Sequence, residues 1–319
     1  MAKSIGETGT LDPLLAVAVE KRRRGPQHSD LTVAQVRELA RSRLGAPDRL
    51  PALHSVRDLG FPSITGPVPA RLYTPSNAVN LPLIVYFHGG GFVTGDLDTH
   101  DSIIRQLAVA CDAIVLSVDY RLAPEHPFPA GVEDAEAALK FAISNASAFN
   151  ADPDAIFASG DSAGGALAIA AAPVAPDLAG LLLFYPVTDL TQIGKSESYR
   201  QFGNGSAGLS ENDMQWLANH YTPDGPSRQD WRCSPLLAGE DTRFPPVFVA
   251  TAQFDVLRSE GEAFAKLMSE RGVATEHYAV NGVNHGFLGA GTAVPQVIAT
   301  YAAAAAWLAS IATKATTLR

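Results

Sequence analysis

Cysteine is nearly missing from this 319-residue chain. Cys111 and Cys233 are the two present, too few for a disulfide framework or a cysteine-built metal site. Charge is sparse at 18 %, and acidic residues outnumber basic ones, 33 to 24, for a net charge of −9. That balance argues against nucleic acid or an anionic membrane surface as a partner. The only basic run, Lys21-Arg-Arg-Arg24, reads as the solvated C-terminal end of a helix, where cations offset the helix dipole. No apolar run approaches the ~18 residues of a membrane-spanning helix, so no membrane span is expected. Leu14-Leu-Ala-Val-Ala-Val19 is too short for a secretory leader, and its basic residues follow it instead of preceding it. A cytoplasmic location is the expectation. Neither a His-Glu-x-x-His zinc motif nor a dinucleotide-binding glycine pattern after a strand occurs, so neither metal nor cofactor is expected. Internal repeats are missing too. The Ala-rich stretch from Thr300 to Ala312 reads as a helix packed on the core. With 46 % apolar residues the chain has the composition of an ordinary folded protein.

What the chain does have is a short apolar run ending on Gly-x-Ser-x-Gly. Ile156-Phe-Ala-Ser-Gly160-Asp161-Ser162-Ala163-Gly164-Gly165 leads into an Ala-rich, helix-like segment. A strand that turns this sharply into a helix strains the serine backbone and needs small neighbours. The Ser162 hydroxyl is then held clear of the sheet. The Ala163 N–H, at the helix N-terminus, can stabilise negative charge on a reacting carbonyl. The pentapeptide alone also fits a plain Gly/Ser turn, so its reading depends on the rest of the chain.

A second glycine loop follows the buried-strand pattern Leu83-Ile-Val-Tyr-Phe87: His88-Gly89-Gly90-Gly91-Phe92. Three adjacent glycines lose much backbone entropy on folding. Close approach of N–H donors to the oxygen of a tetrahedral intermediate would justify them, and one such donor is worth about 3–4 kcal/mol of barrier. Gly89 and Gly90 are the expected donors, with Ala163. No Lys-Ser/Thr follows the glycines, which excludes a P-loop.

A hydroxyl nucleophile needs a base, and the base needs an orienting acid. His285 follows the last strand-like run, Ala274 to Val280, in a loop at the carboxyl edge of the sheet. His277 lies inside that run and should face solvent or a neighbour, and His88 reads as structural. Pro246-Val-Phe-Val-Ala-Thr-Ala252 is another buried strand, and Asp255 ends it. Asp189 and Glu260 are rivals for the acid. The order Ser, Asp, His favours Asp255.

These elements resemble a family. His88-Gly-Gly-Gly-Phe92, Asp119-Tyr-Arg-Leu-Ala-Pro-Glu-His-Pro-Phe-Pro129, Gly160-Asp-Ser-Ala-Gly-Gly165, Tyr185-Pro186, Asp255-Val-Leu-Arg258 and His285-Gly-Phe287 occur in the order found in bacterial hormone-sensitive-lipase-like esterases, in the Gly-Asp-Ser-Ala-Gly subgroup of the α/β-hydrolases. The likeness runs from about Leu11 to Leu288. It implies a triad of Ser162, Asp255 and His285 and an oxyanion hole of Gly89, Gly90 and Ala163. It also implies a serine esterase for short-chain acyl esters that needs no cofactor. It leaves room for a homodimer paired through an edge strand and its helix. Amide, lactone or carbamate hydrolysis would use the same groups. A small-molecule receptor on this fold would have no reason to keep the complete triad. Two departures stand out. Asp255-Val-Leu-Arg-Ser-Glu260 lacks the usual Pro after the acid, and Pro173 and Pro176 cut the nucleophile helix short.

The strand and helix patterns alternate, which predicts an α/β-hydrolase fold: a mostly parallel central sheet with helices on both faces and a helical cap. Residues 1–50, helical in part, and the glycine-bearing insertion 188–227, with a helix from Glu211 to His220, are the expected cap. Residues 51–187 and 228–319 are the expected catalytic core. Asp30 or Thr32 can cap the amphipathic stretch Leu31 to Leu39. Asp119 to His126 reads as a hydrogen-bonded brace for the glycine loop in preference to a substrate contact.

Overall fold

The computed structural model describes residues 3–5, 9–42 and 50–317. Residues 1–2, 6–8 and 43–49 of the expected cap segment lie outside the described residues. The strands are β1 (Lys3–Ile5), β2 (Ser55–Ser63), β3 (Gly66–Thr74), β4 (Leu81–Phe87), β5 (Ile114–Val118), β6 (Ala151–Asp161), β7 (Gly180–Phe184), β8 (Val247–Phe254) and β9 (Thr275–Asn284). They form one sheet in the order β1-β9-β8-β7-β6-β4-β5-β3-β2. Neighbours run parallel except at β5/β3 and β3/β2. Residues 3–5 were expected in the cap; instead they pair with Tyr278–Val280 and extend the sheet past β9.

Central strands β5 and β7 are buried at every position, as a strand covered on both faces must be. On one face, α3 (Asp101–Cys111) and α9 (Pro295–Thr317) pack Ile104, Leu107, Tyr301 and Trp307 onto the sheet. On the other, α4 (Ala130–Asn145), α5 (Ala163–Ala171) and α8 (Arg258–Glu270) bury Val132, Leu139, Leu167, Phe264 and Met268. The nucleophile helix is as short as the prolines require: α5 gives way to a 3₁₀ turn at Ala172–Val174. One expectation needs correction. The window Pro295–Ala312 of α9 is long and apolar enough to cross a bilayer by length and composition. Small polar residues within it had masked that. In the fold one face of it packs on the sheet, where the Trp307 ring meets Phe157 and Phe248.

The N-terminal helices α1 (Pro13–Arg24) and α2 (Val33–Arg41) dock by specific polar contacts. Thr32, with Gln35, caps α2; Asp30 instead accepts the Gln27 amide. The insertion carries α6 (Glu197–Phe202) and α7 (Glu211–Tyr221). The basic run does end α1, but Arg22 is not merely solvated. It pairs at 2.9 Å with Asp213 of α7, a carboxylate only 1 % exposed, and bonds to Gly208 O. His28 lies 3.2 Å from the same carboxylate. Arg37 of α2 donates to Val93 O and Ala123 O and forks onto Glu125 at 2.8 and 2.7 Å. Both helices are thereby fastened over the glycine loop and the insertion.

Candidate active site

Three strands deliver three side chains to one edge of the sheet. β6 ends at Asp161, and Ser162 follows with φ +53° and ψ −119°, the strained turn read from the glycines. The turn is possible because the crossing is side-chain-free: a Cβ on Gly164 would fall on the Phe87 carbonyl oxygen. β8 ends just before Asp255, and β9 just before His285. His285 Nε2 lies 2.9 Å from Ser162 Oγ, and its Nδ1 lies 2.7 Å from Asp255 Oδ2. Nδ1–H donates to the carboxylate, which leaves Nε2 free to accept from the hydroxyl. Asp255 is 1 % exposed, and its second oxygen accepts the Leu257 amide at 2.9 Å. Tyr185 sets its ring edge-on to the imidazole, 5.0 Å between centroids.

The rival acids have other work. Glu260 accepts the Thr188 amide at 2.7 Å and the Asp189 amide at 3.3 Å; burial pushes its carboxyl well above the usual range. Asp189 accepts from Thr191. His277 bonds to Thr251 on the adjacent strand at 2.9 Å, the neighbour expected of it, and burial lowers its pKa.

The glycine loop corrects one assignment. The Gly89 amide donates to Asp161 Oδ1 at 2.8 Å, so it is not free for an oxyanion. The two peptides after it are set differently. The Gly89 carbonyl accepts His88 Nδ1–H at 2.8 Å. The Gly90 carbonyl accepts Thr94 N at 2.9 Å and Thr94 Oγ at 3.1 Å. In a trans peptide the carbonyl and the following N–H point opposite ways. Each clamped carbonyl therefore turns the next amide, Gly90 and then Gly91, to the other side of the loop. Among the described residues neither amide meets an internal acceptor. Ala163, first residue of α5, has the unpaired amide of a helix N-terminus. Sequence reasoning missed Gly91 because three identical neighbours carry no mark of which amide is already used.

The brace reading of Asp119 to His126 fits the contacts: Tyr120 OH donates to His88 O at 2.7 Å, and its ring stacks on the His88 imidazole. Burial first, then the nearby His100, lower the His88 pKa to about 4. The sign follows. The unfolded chain takes up this proton below about 6.5, the folded one only below about 4, so stability is full above that window and falls as pH drops through it. The effect is on the order of 3 kcal/mol. Denaturant unfolding at pH 7.0, 5.5 and 4.5 should show the fall. His88→Asn, which keeps a donor toward Gly89 O, should be less stable at pH 7 but show a flatter decline.

The chain is similar to known proteins. A family model described as the alpha/beta hydrolase fold matches residues 84–289. The chain is 42 % identical over 250 residues to carboxylic ester hydrolase LipN of Mycobacterium tuberculosis, covering 75 % of this chain and 66 % of that one. It is 38 % identical over 283 residues to carboxylesterase NlhH of Mycobacterium tuberculosis, covering 83 % and 86 %. A solved esterase of Pyrobaculum calidifontis superposes with a TM-score of 0.88 at 36 % identity, over 95 % of this chain and 99 % of that one.

Proposed function

The chain belongs to the hormone-sensitive-lipase-like esterase family of α/β-hydrolases and is a carboxylic-ester hydrolase, and from that premise we propose that Ser162, His285 and Asp255 carry the reaction. The observation that carries the assignment is the unbroken chain of contacts, Ser162 Oγ to His285 Nε2 at 2.9 Å and His285 Nδ1 to Asp255 at 2.7 Å. Ser162 Oγ attacks the acyl carbon as Nε2 takes its proton. The carbonyl oxygen becomes an oxyanion that the amides of Gly90, Gly91 and Ala163 receive. Collapse breaks the ester C–O bond, and Nε2–H protonates the departing alcohol. Water, deprotonated by the same nitrogen, then releases the acid from Ser162. Asp255 holds the imidazole in the tautomer each step needs. Every proton is carried by one histidine, and no step calls for a cofactor.

The N-terminal helices α1 and α2 and the insertion 188–227 act as the cap. The packing of α7 on the glycine loop supports this: Leu217 would collide with a Cβ on Gly91, and Tyr221 stacks on Phe92 at 3.8 Å. A site roofed so closely favours short acyl chains. Measured on p-nitrophenyl esters, kcat/KM should fall by about tenfold or more between butyrate and octanoate, the loss expected when an acyl tail no longer fits. A flat series would remove the roof from the reading. The buried thiols of Cys111 and Cys233, both free, support a cytoplasmic location.

A further inference from the structure

The residue beside the nucleophile, Asp161, is buried and is used neither as acid nor as base. Its Oδ1 accepts Tyr86 OH at 2.8 Å and the Gly89 amide at 2.8 Å, and lies 3.4 Å from His100 Nε2. Asp161 is covalently joined to Ser162, and Gly89 opens the loop that carries the Gly90 and Gly91 donors. The bond between them is therefore a strut that sets the spacing between the nucleophile and the oxyanion donors. Little room exists for error: a Cβ on Gly89 would strike the Asp161 carboxylate.

A buried carboxylate in this place raises a difficulty. It puts a negative charge near the point where the oxyanion forms, and burial alone would drive it to protonate. Burial does push its pKa up, but His100, which faces it at 3.4 Å, and the hydrogen bonds from Tyr86 and Gly89 outweigh that and hold it below the usual value. His100 comes from a separate element, just ahead of α3. Its Nδ1 is 3.1 Å from Thr99 Oγ, which is itself held by Asp96, and its ring lies 5.3 Å from His88. The ring is thus gripped at one nitrogen and faces the carboxylate with the other.

We propose that His100 is a positioning residue for ester hydrolysis: set against Asp161, it holds that carboxylate in place and so keeps the Gly89 strut, and with it the oxyanion donors, in register with Ser162. This rests on the triad and oxyanion assignment above. His100→Ala should lower kcat, counted per fluorophosphonate-titrated site, by about 10–100-fold, the loss expected when reacting groups shift by a fraction of an ångström to an ångström. KM should change little. The Ki of a trifluoromethyl ketone, which forms an oxyanion adduct on serine, should rise by the factor that kcat/KM falls. His100→Gln, whose side-chain N–H can reach Asp161, should recover most of the activity. His100→Phe keeps the ring volume and serves as the test if the Ala variant does not fold.

A kcat per titrated site within twofold of wild type, or a fall in kcat with Ki unmoved, would overturn the proposal. Failure of both the Ala and Phe variants to fold would also do so, by making the role structural. Lack of labelling at Ser162 in the wild type would instead sink the triad assignment. Normal wild-type labelling with an unaffected His100 variant would sink only the positioning role.

Discussion

Ser162→Ala should fold like the wild type and lose about 10⁴–10⁶-fold in kcat on p-nitrophenyl butyrate, the loss seen when a triad nucleophile is removed. The change deletes one oxygen and leaves the elbow as it is. Alanine has no larger Cβ to fit, and the turn depends on Gly160, Gly164 and the paired backbone, not on the hydroxyl. Ser162 N still reaches Phe184 O at 2.9 Å, and Val187 N still reaches Ser162 O at 3.0 Å. Melting should therefore shift by no more than a few degrees. Fluorophosphonate labelling should vanish. Labelling that persists, or turnover above about a hundredth of wild type, would mean that another nucleophile does the work.

His285→Ala should cost about 10³–10⁶-fold in kcat, whereas His277→Ala should stay within about threefold of wild type. The two histidines sit eight positions apart in the sequence, yet the geometry separates their tasks. His285 touches both Ser162 and Asp255, while the His277 nitrogen bonds to Thr251 on the neighbouring strand. Truncating His285 leaves the serine proton with no acceptor and the buried Asp255 carboxylate with no imidazole. Comparable losses in both variants would undo the assignment of the base. Asp255→Asn provides the check on the acid: it should lower kcat with KM little changed, because the amide favours the wrong imidazole tautomer. Glu260→Gln should not match it, since Glu260 faces the Thr188 and Asp189 amides and not the imidazole.

The parallel sheet was legible because βαβ alternation leaves a repeated mark: apolar runs such as Leu181-Leu-Leu-Phe184 between helical stretches. The juxtaposition of Ser162, Asp255 and His285 was legible because each follows a strand, and the carboxyl ends of parallel strands share one edge. β1 was not legible. Three residues carry no periodicity, and only the open edge of β9 gives them a partner. The role of Arg22 was obscured in the same way, because a run of four basic residues looks solvated until one of them meets a buried carboxylate from an insertion nearly two hundred residues later.

The sequence by itself determined the fold class, the alternation of strands and helices after β1, the sharp turn at Ser162, and the placing of Ser162, Asp255 and His285 just past strands. Those follow from local constraints: periodicity, the glycines a strained turn requires, and the position of a residue just past a strand. Only the tertiary structure decided which glycine amides are free, that Asp161 takes Gly89, that His100 faces Asp161, and that Arg22 and Arg37 fasten the N-terminal helices. The physical reason is that a hydrogen bond is a relation between two groups. Whether an amide is available to an oxyanion depends on which distant acceptor the folded chain has already brought to it.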